Sequence, residues 1–135
     1  MKVIVDCNVW ISFLLGFQKE MMYDVLKSEH IDVYVCSQLL NEIRDVANRP
    51  KIRSRIADDD VEQLFRLIKA YCIRANIINR SLVPIRDSKD LYLLSLSETI
   101  NADYIISGDK DLLDVEDSHC RIVSPSQFKM ILKNP

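Results

Sequence analysis

Two aspartates follow apolar runs of this chain, at positions where a chemical site could form. Asp6 comes directly after Lys2–Val5, and Asp109 comes shortly after Tyr104–Ser107. In an open parallel sheet, ligands bind at the edge formed by the carboxyl ends of the strands. If both runs are strands of such a sheet, the two carboxylates lie at that edge.

Two further acids are candidates because of their position on predicted helices. Glu42 lies one turn into a helix that begins near Ser37, among apolar neighbours at helical spacing, and Asp90 lies in the first turn of a later helix. Buried carboxylates that converge repel one another, which raises their pKa values until a divalent cation neutralises them. Hard oxygen ligands favour Mg²⁺ or Mn²⁺, and such an ion can activate water for attack on a phosphodiester.

Each acid also has a purely structural interpretation. A strand-end aspartate can start a turn, and Asp109 can cap a short helix predicted at 111–113. Glu42 alone is more typical of a solvated helical acid. Asp87 and Asp90 can complement a helix dipole. The order of the four acids favours a shared site, although sequence alone does not show that they converge.

The chain alternates short β-branched runs with helical periodicity, which predicts a parallel sheet with crossover helices. One domain over residues 1–135 is the simplest organisation. We predict strands at 2–5, 31–35, 72–78, 104–107 and 121–123. We predict helices at 11–28 with a break near Gly16, at 38–48 with Ser37 as N-cap, at 58–71 with Tyr71 in its apolar stripe, from Asp87 or Ser88, and from Ser124.

Composition and charge are those of an ordinary globular protein. No apolar run approaches the ~18 residues of a membrane span, and an aspartate interrupts the N-terminal run, so we expect a cytoplasmic protein. The net charge of −2 hides an asymmetry. Residues 44–89 contain eleven Lys/Arg and six Asp/Glu, a balance of +5, whereas the remainder contains seven and fourteen, a balance of −7.

Four segments, in order, resemble the PIN-domain family, and within it the small prokaryotic type that occurs as the toxin of toxin–antitoxin pairs. They are Ile4–Val9, with an aspartate and an asparagine two residues later, Ser37–Ile43 with Glu42, Arg86–Asp90, and Tyr104–Leu113 with Ser-Gly-Asp-Lys-Asp. Two positions depart from the family pattern. Ser88 replaces a usual proline, and Leu91 stands where a further aspartate is common, which bears on how tightly a second metal is held.

The resemblance implies a three-layer α/β/α sandwich with a central parallel sheet, and Mg²⁺- or Mn²⁺-dependent cleavage of RNA by metal-activated water. It also implies a homodimer and an antitoxin partner. The implied metal-holding and catalytic residues are Asp6, Glu42, Asp90 and Asp109, with Asp87 and Asp111 as additional ligands. Asn8, Ser12 and Ser107 would orient ligands and water.

RNA reaches an acidic pocket only if cations flank it, because phosphate contacts dominate affinity. The candidate cations form a basic rim just after the helix that carries Glu42, together with two residues beside the predicted site. They are Arg49, Lys51, Arg53 and Arg55, with Arg86 and Lys89. A solvated helix or loop is the alternative interpretation of the rim.

Two other functions compete with the ribonuclease. Asp6-Cys7-Asn8-Val9 imitates the nucleophile loop of haloacid-dehalogenase-type phosphatases, although the asparagine stands where that chemistry needs a second acid. The other alternative is a catalytically silent PIN domain that binds RNA or a protein, since a fold does not guarantee chemistry.

Overall fold

The computed structural model describes residues 1–134, and at its centre lies a five-stranded parallel sheet. Every strand pairing is parallel, and the spatial order is β3-β2-β1-β4-β5. The predicted α/β/α sandwich is confirmed. The strands are β1 (Lys2–Val5), β2 (Asp32–Val35), β3 (Cys72–Arg74), β4 (Tyr104–Ile106) and β5 (Arg121–Val123).

Eight helices surround the sheet within residues 1–134. They are α1 (Cys7–Leu14), α2 (Lys19–Lys27), α3 (Ser37–Ala47), α4 (Pro50–Arg53), α5 (Asp60–Tyr71), α6 (Leu91–Ile100), α7 (Lys110–Leu113) and α8 (Pro125–Lys133). A 3₁₀ turn at Ser88–Asp90 leads into α6. None of these helices has the length and apolar character to cross a bilayer.

The central strand β1 consists almost entirely of buried apolar residues. Val3, Ile4 and Val5 are all fully buried, as expected of a parallel strand that is covered on both faces. β1 pairs with β2 on one side and with β4 on the other, so the strand order reverses between β1 and β4. In sheets of this kind a ligand crevice opens where the order reverses, outside the carboxyl ends of the strands.

The predicted break near Gly16 is confirmed, and the backbone explains it. Gly16 has φ 98° and Gln18 has φ 57°, so the chain turns through the left-handed region between α1 and α2. The first helix starts four residues earlier than predicted, at Cys7, because the side chain of Asp6 caps it.

Three local predictions were wrong. The N-cap of α3 is Cys36, and Ser37 is the first helical residue, whose hydroxyl accepts a hydrogen bond from Arg74. The third strand ends at Arg74 and does not continue to Ile78. Tyr71 is 45% exposed at the end of α5 and does not belong to the buried stripe.

Candidate active site

Asp6 lies in the crevice between β1 and β4, and three hydrogen bonds fix it there. Its backbone N–H donates to Ile106 O at 2.9 Å. Its carboxylate accepts from the backbone N–H of Cys7 at 2.6 Å and from the hydroxyl of Ser107 at 2.7 Å. The side chain is only 3% exposed. Asp6 therefore links the end of β1 to the start of α1, and it presents a carboxylate of fixed orientation.

Ser107 joins Asp6 to Asp109. Its buried hydroxyl donates to Asp6 and accepts from the backbone N–H of Asp109 at 2.9 Å. The carboxylate of Asp109 in turn accepts from the backbone N–H of Asp111 at 3.0 Å and caps α7. Its predicted capping role is thus confirmed, and the same turn brings Asp109 next to Asp6.

Asp90 is the third acid that the fold brings to this place. It ends the 3₁₀ turn before α6 and is 8% exposed. Burial raises the pKa of Asp90 to about 7, and a hydrogen bond with Asp109 and the negative charges of Asp6, Asp109 and Asp87 add to the rise. Asp90 and Asp109 are thus neighbours in the crevice.

Burial also raises the pKa of Asp6, from 3.8 to about 6. The hydrogen bonds from Ser107 and from the Cys7 backbone oppose this rise, while the charges of Glu42 and Asp109 increase it. Two buried acids with pKa values near neutrality therefore lie within electrostatic reach of each other, which is the pattern typical of functional sites.

Glu42 belongs to the same electrostatic neighbourhood and is held by a residue that sequence reasoning missed. The hydroxyl of Tyr92 donates to Glu42 Oε2 at 3.1 Å. Burial raises the pKa values of Tyr92 and Cys7, and the Glu42 carboxylate raises both further. The sequence offered one sign of this role: Tyr92 is a polar aromatic residue two positions after Asp90, in a helix otherwise rich in leucine.

The carboxylates form a cluster but not a closed cage. Within residues 1–134 no three His, Cys, Asp or Glu side chains converge closely enough to hold one ion in their present rotamers. The donor set nevertheless fits a hard divalent cation, since it consists of carboxylate oxygens whose pKa values are raised by burial and mutual repulsion.

The remaining predicted acids lie at the margin of the cluster. Asp87 caps the 3₁₀ turn by accepting from the backbone N–H of Lys89 at 3.0 Å. Asp111 faces a different groove, where its carboxylate lies 3.9 Å from Arg86 Nη1. The negative charge of Asp87 contributes to the raised pKa of Asp90. The Asp111 side chain instead points towards Arg86, with which it forms an ion pair.

The polar residues predicted to orient ligands occupy two different places. Ser107 lies inside the cluster. Asn8 and Ser12 line a neighbouring groove of about 270 Å³ together with Gly108, whose backbone N–H lies 3.4 Å from Asn8 Oδ1. Asn8 therefore contacts the loop that carries Asp109.

The predicted basic rim lies around α4. Arg49 is electrostatically close to the site. Burial raises the pKa of Cys7, the neighbour of Asp6, and the positive charge of Arg49 lowers it in part. Lys51, Arg53 and Arg55 form no ion pair with the acidic cluster in the described part of the chain. The other two predicted cations, Arg86 and Lys89, are exposed.

The fold and this acidic crevice agree with the comparison with known families. Residues 2–111 match the family described as PIN domain, and the chain therefore belongs to the PIN-domain family. The predicted family membership is confirmed. The match covers Asp6, Glu42, Asp90 and Asp109, and the family is not that of the phosphatase alternative. No curated protein matches the chain in sequence.

Two solved structures share the fold at low sequence identity. One is the PIN domain of human SMG5, with a TM-score of 0.57 and 11% identity over 98% of this chain and 99% of that one. The other is VapBC2 from Rickettsia felis, solved with a DNA fragment from its promoter, with a TM-score of 0.62 and 11% identity over 92% of this chain and 98% of that one. At this identity the likeness concerns the fold alone.

Proposed function

We propose that this chain is a divalent-metal-dependent ribonuclease, formed by one PIN domain over residues 1–135. The observation that carries the proposal is the cluster of Asp6, Asp90 and Asp109 at the crevice between β1 and β4. Burial and mutual repulsion make the ionised cluster costly in the absence of a cation. A fold that only needed stability would place apolar or neutral polar side chains there.

The residues proposed to hold Mg²⁺ or Mn²⁺ are Asp6, Glu42, Asp90 and Asp109, with Asp87 and Asp111 at the margin. When bound, such an ion lowers the pKa of water and stabilises negative charge on a phosphodiester. Carboxylate ligands suit both metals, and Leu91 leaves one acid fewer than the family pattern for a second ion.

The protein's own contribution is to orient these acids. Ser107 holds Asp6 by its hydroxyl and Asp109 by its backbone, so the two carboxylates keep a fixed relation. Tyr92 holds Glu42. Because these supporting groups are attached to the ends of β4 and to α6, the site rests on rigid elements rather than on a long loop.

We further propose that the protein is the toxin of a toxin–antitoxin pair, acting on RNA in the cytoplasm as a homodimer and inhibited by a small partner protein. The likeness to the fold of VapBC2 supports this assignment, as do the family-type segments of the sequence. A catalytically silent PIN domain that binds RNA or protein is the alternative, and turnover distinguishes the two.

The test is cleavage of a structured total-RNA pool by the purified protein with Mg²⁺, with Mn²⁺ or with EDTA. The double variant Asp6→Asn/Asp109→Asn removes two charges but keeps both helix caps, because asparagine caps helices as well as aspartate does. Asp24→Asn/Asp45→Asn is the matched control, since it removes two charges from exposed helical positions.

We expect cleavage that requires metal, persists in the control and is lost in the Asp6/Asp109 variant. Absence of cleavage with either metal, from folded protein free of a bound inhibitor, would refute the ribonuclease and favour the silent binding domain. Cleavage that survives the double substitution would place the active site elsewhere.

A further inference from the structure

A second groove, of about 600 Å³, lies between α3, α5 and the ends of β2 and β3. We call it the basic groove and define it by Asn41, Arg44, Phe65, Lys69 and Arg74, which line it. It lies in the segment with the positive charge balance, but it does not include any cation of the predicted rim.

The electrostatic character of the basic groove is positive. Within the described chain no acidic residue lines it. Glu62 lies 3.4 Å from Arg44 Nη1, but the side chains of Glu62 and Arg44 are 62% and 49% exposed, and such surface ion pairs are weak. Lys69 forms no ion pair within residues 1–134. The groove therefore has cationic groups available for a polyanion.

Two contacts hold the guanidinium groups of the basic groove in place. Arg44 stacks over the ring of Phe65, with 4.0 Å between its Cζ and the ring centroid. Arg74 Nη2 donates to Ser37 Oγ at 2.7 Å, which ties the end of β3 to the start of α3. Ordered guanidinium groups lose less side-chain entropy when they bind phosphate than free ones do.

The basic groove shares an edge of the sheet with the acidic cluster. β2 ends at Val35, which pairs with Arg74 at the end of β3, and all strands are parallel, so these ends lie on the same edge as Asp6. With strands spaced by about 4.8 Å, β3 lies about 10 Å from β1. Cys36 lies between the two sites. Burial is the main cause of the raised pKa of its thiol, but the charge of Arg74 lowers this pKa and the charge of Glu42 raises it. Cys36 is therefore within electrostatic reach of both the basic groove and the acid neighbourhood around Asp6.

We propose that the basic groove binds the sugar–phosphate backbone of single-stranded RNA on one side of the phosphate that is cut. The proposal rests on the ribonuclease function proposed above and adds where the substrate lies. Proteins that bind single strands combine a cationic groove with aromatic side chains, as Arg44, Lys69, Arg74 and Phe65 do here. An acidic active site repels RNA, so neighbouring cations are needed to hold the strand across it.

The groove can be tested by the salt dependence of binding. A labelled single-stranded RNA oligonucleotide is titrated with the protein in EDTA, which stops metal-dependent cleavage, at salt concentrations from about 50 to about 200 mM. The test variant is Lys69→Gln/Arg74→Gln. The matched control is Lys129→Gln/Lys133→Gln, which removes two exposed charges from α8, next in the chain to the opposite edge strand β5.

Each phosphate contact with a single strand contributes about 0.7 to the slope of log affinity against log salt. The slope of the test variant should therefore be smaller in magnitude by about 1.4. Between about 50 and about 200 mM salt, the loss of affinity of the wild type should exceed that of the variant by a factor of about 7. The control should keep the wild-type slope. The single variant Lys69→Gln should reduce the slope by about half as much. Lys69 is exposed and has no hydrogen-bond partner in the described chain, so this variant tests the groove even if loss of Arg74 impairs folding.

An unchanged slope in a folded Lys69/Arg74 variant would overturn the proposal. Binding of polyglutamate in place of RNA, with the same dependence on Lys69 and Arg74, would also overturn it, because it would assign the groove to an acidic protein segment. The two proposals fail separately. Absence of metal-dependent cleavage refutes the ribonuclease, whereas the groove is measured by binding without metal.

Discussion

The substitution Asp6→Asn should stabilise the metal-free protein, although it removes a proposed active-site group. Asp6 is 3% exposed, and burial outweighs the hydrogen bonds that favour its ionised form. Asparagine has nearly the same shape and is as good an N-cap for α1. It can accept from the Cys7 backbone and pair with the Ser107 hydroxyl, so the contacts are retained and only the charge is lost.

The size of the effect follows from the pKa of Asp6, which rises from 3.8 unfolded to about 6 in the fold. A rise of this size corresponds to about 3 kcal/mol of unfolding free energy. Because the folded pKa is the higher one, the cost is small near pH ~4, grows as the pH rises towards ~6, and is complete above pH ~7, where Asp6 is ionised in both states. We therefore expect Asp6→Asn to gain about 3 kcal/mol at pH 8 and less than about 1 kcal/mol at pH 4.

The measurement is urea unfolding at pH 4, 6 and 8 in EDTA, followed by the fluorescence of Trp10. This residue is the single tryptophan of the chain and is fully buried, so its emission reports loss of the core. At pH 8, replacing EDTA with Mn²⁺ should raise the stability of the wild type more than that of Asp6→Asn, because the cation relieves the repulsion that the variant lacks.

Asp24→Asn is the control, since it removes a negative charge from an exposed position of α2 and should change stability by less than about 0.5 kcal/mol. A lower stability of Asp6→Asn at pH 8 would refute the reasoning. It would show that the charged hydrogen bonds from Ser107 and Cys7 outweigh burial. A gain of equal size at pH 4 and pH 8 would show that the effect does not arise from ionisation.

Three further predictions concern the groups around the acids. Tyr92→Phe removes the hydrogen-bond donor to Glu42. It should lower the cleavage rate about 10-fold and the free energy of unfolding in urea by about 1 kcal/mol. An unchanged cleavage rate would show that Tyr92 has a structural role alone. Ser107→Ala should weaken Mn²⁺ binding about 10- to 100-fold, measured by metal-dependent thermal stabilisation, because Asp6 loses a partner; equal affinity would contradict this. Gly16→Ala should lower the unfolding free energy by about 1 kcal/mol, because φ is +98°, with cleavage per folded molecule unchanged.

The sequence predicted the sheet well because its strands are distinct. Lys2–Val5 and Tyr104–Ile106 are short β-branched or aromatic runs that end in polar turns, as expected of strands near the centre of a parallel sheet. The edge strand β3 was overpredicted. Residues after Arg74 are apolar enough for a strand, but β2 ends at Val35, the partner of Arg74, so no strand residue is left for them to pair with.

Local chemistry was predicted less well where it depends on distant residues. Ser37 has the ideal side chain for an N-cap, yet its hydroxyl accepts from Arg74, 37 residues away, and the backbone of Cys36 takes the cap position. The contact of Tyr92 with Glu42 spans 50 residues and leaves no trace in local periodicity. The catalytic roles of the four acids stay predictions, since the structure shows their proximity and not their chemistry.

The hydrogen bond between Asp6 and Ser107 joins residues 101 positions apart, and this separation has a consequence for synthesis on the ribosome. Asp6 is synthesised 101 residues before Ser107, so the acidic crevice is complete only after β4 has paired with β1 and Asp109 has left the exit tunnel. A nascent or prematurely terminated chain that lacks β4 therefore has no crevice. Translation therefore separates the synthesis of Asp6 from the assembly of the crevice around it.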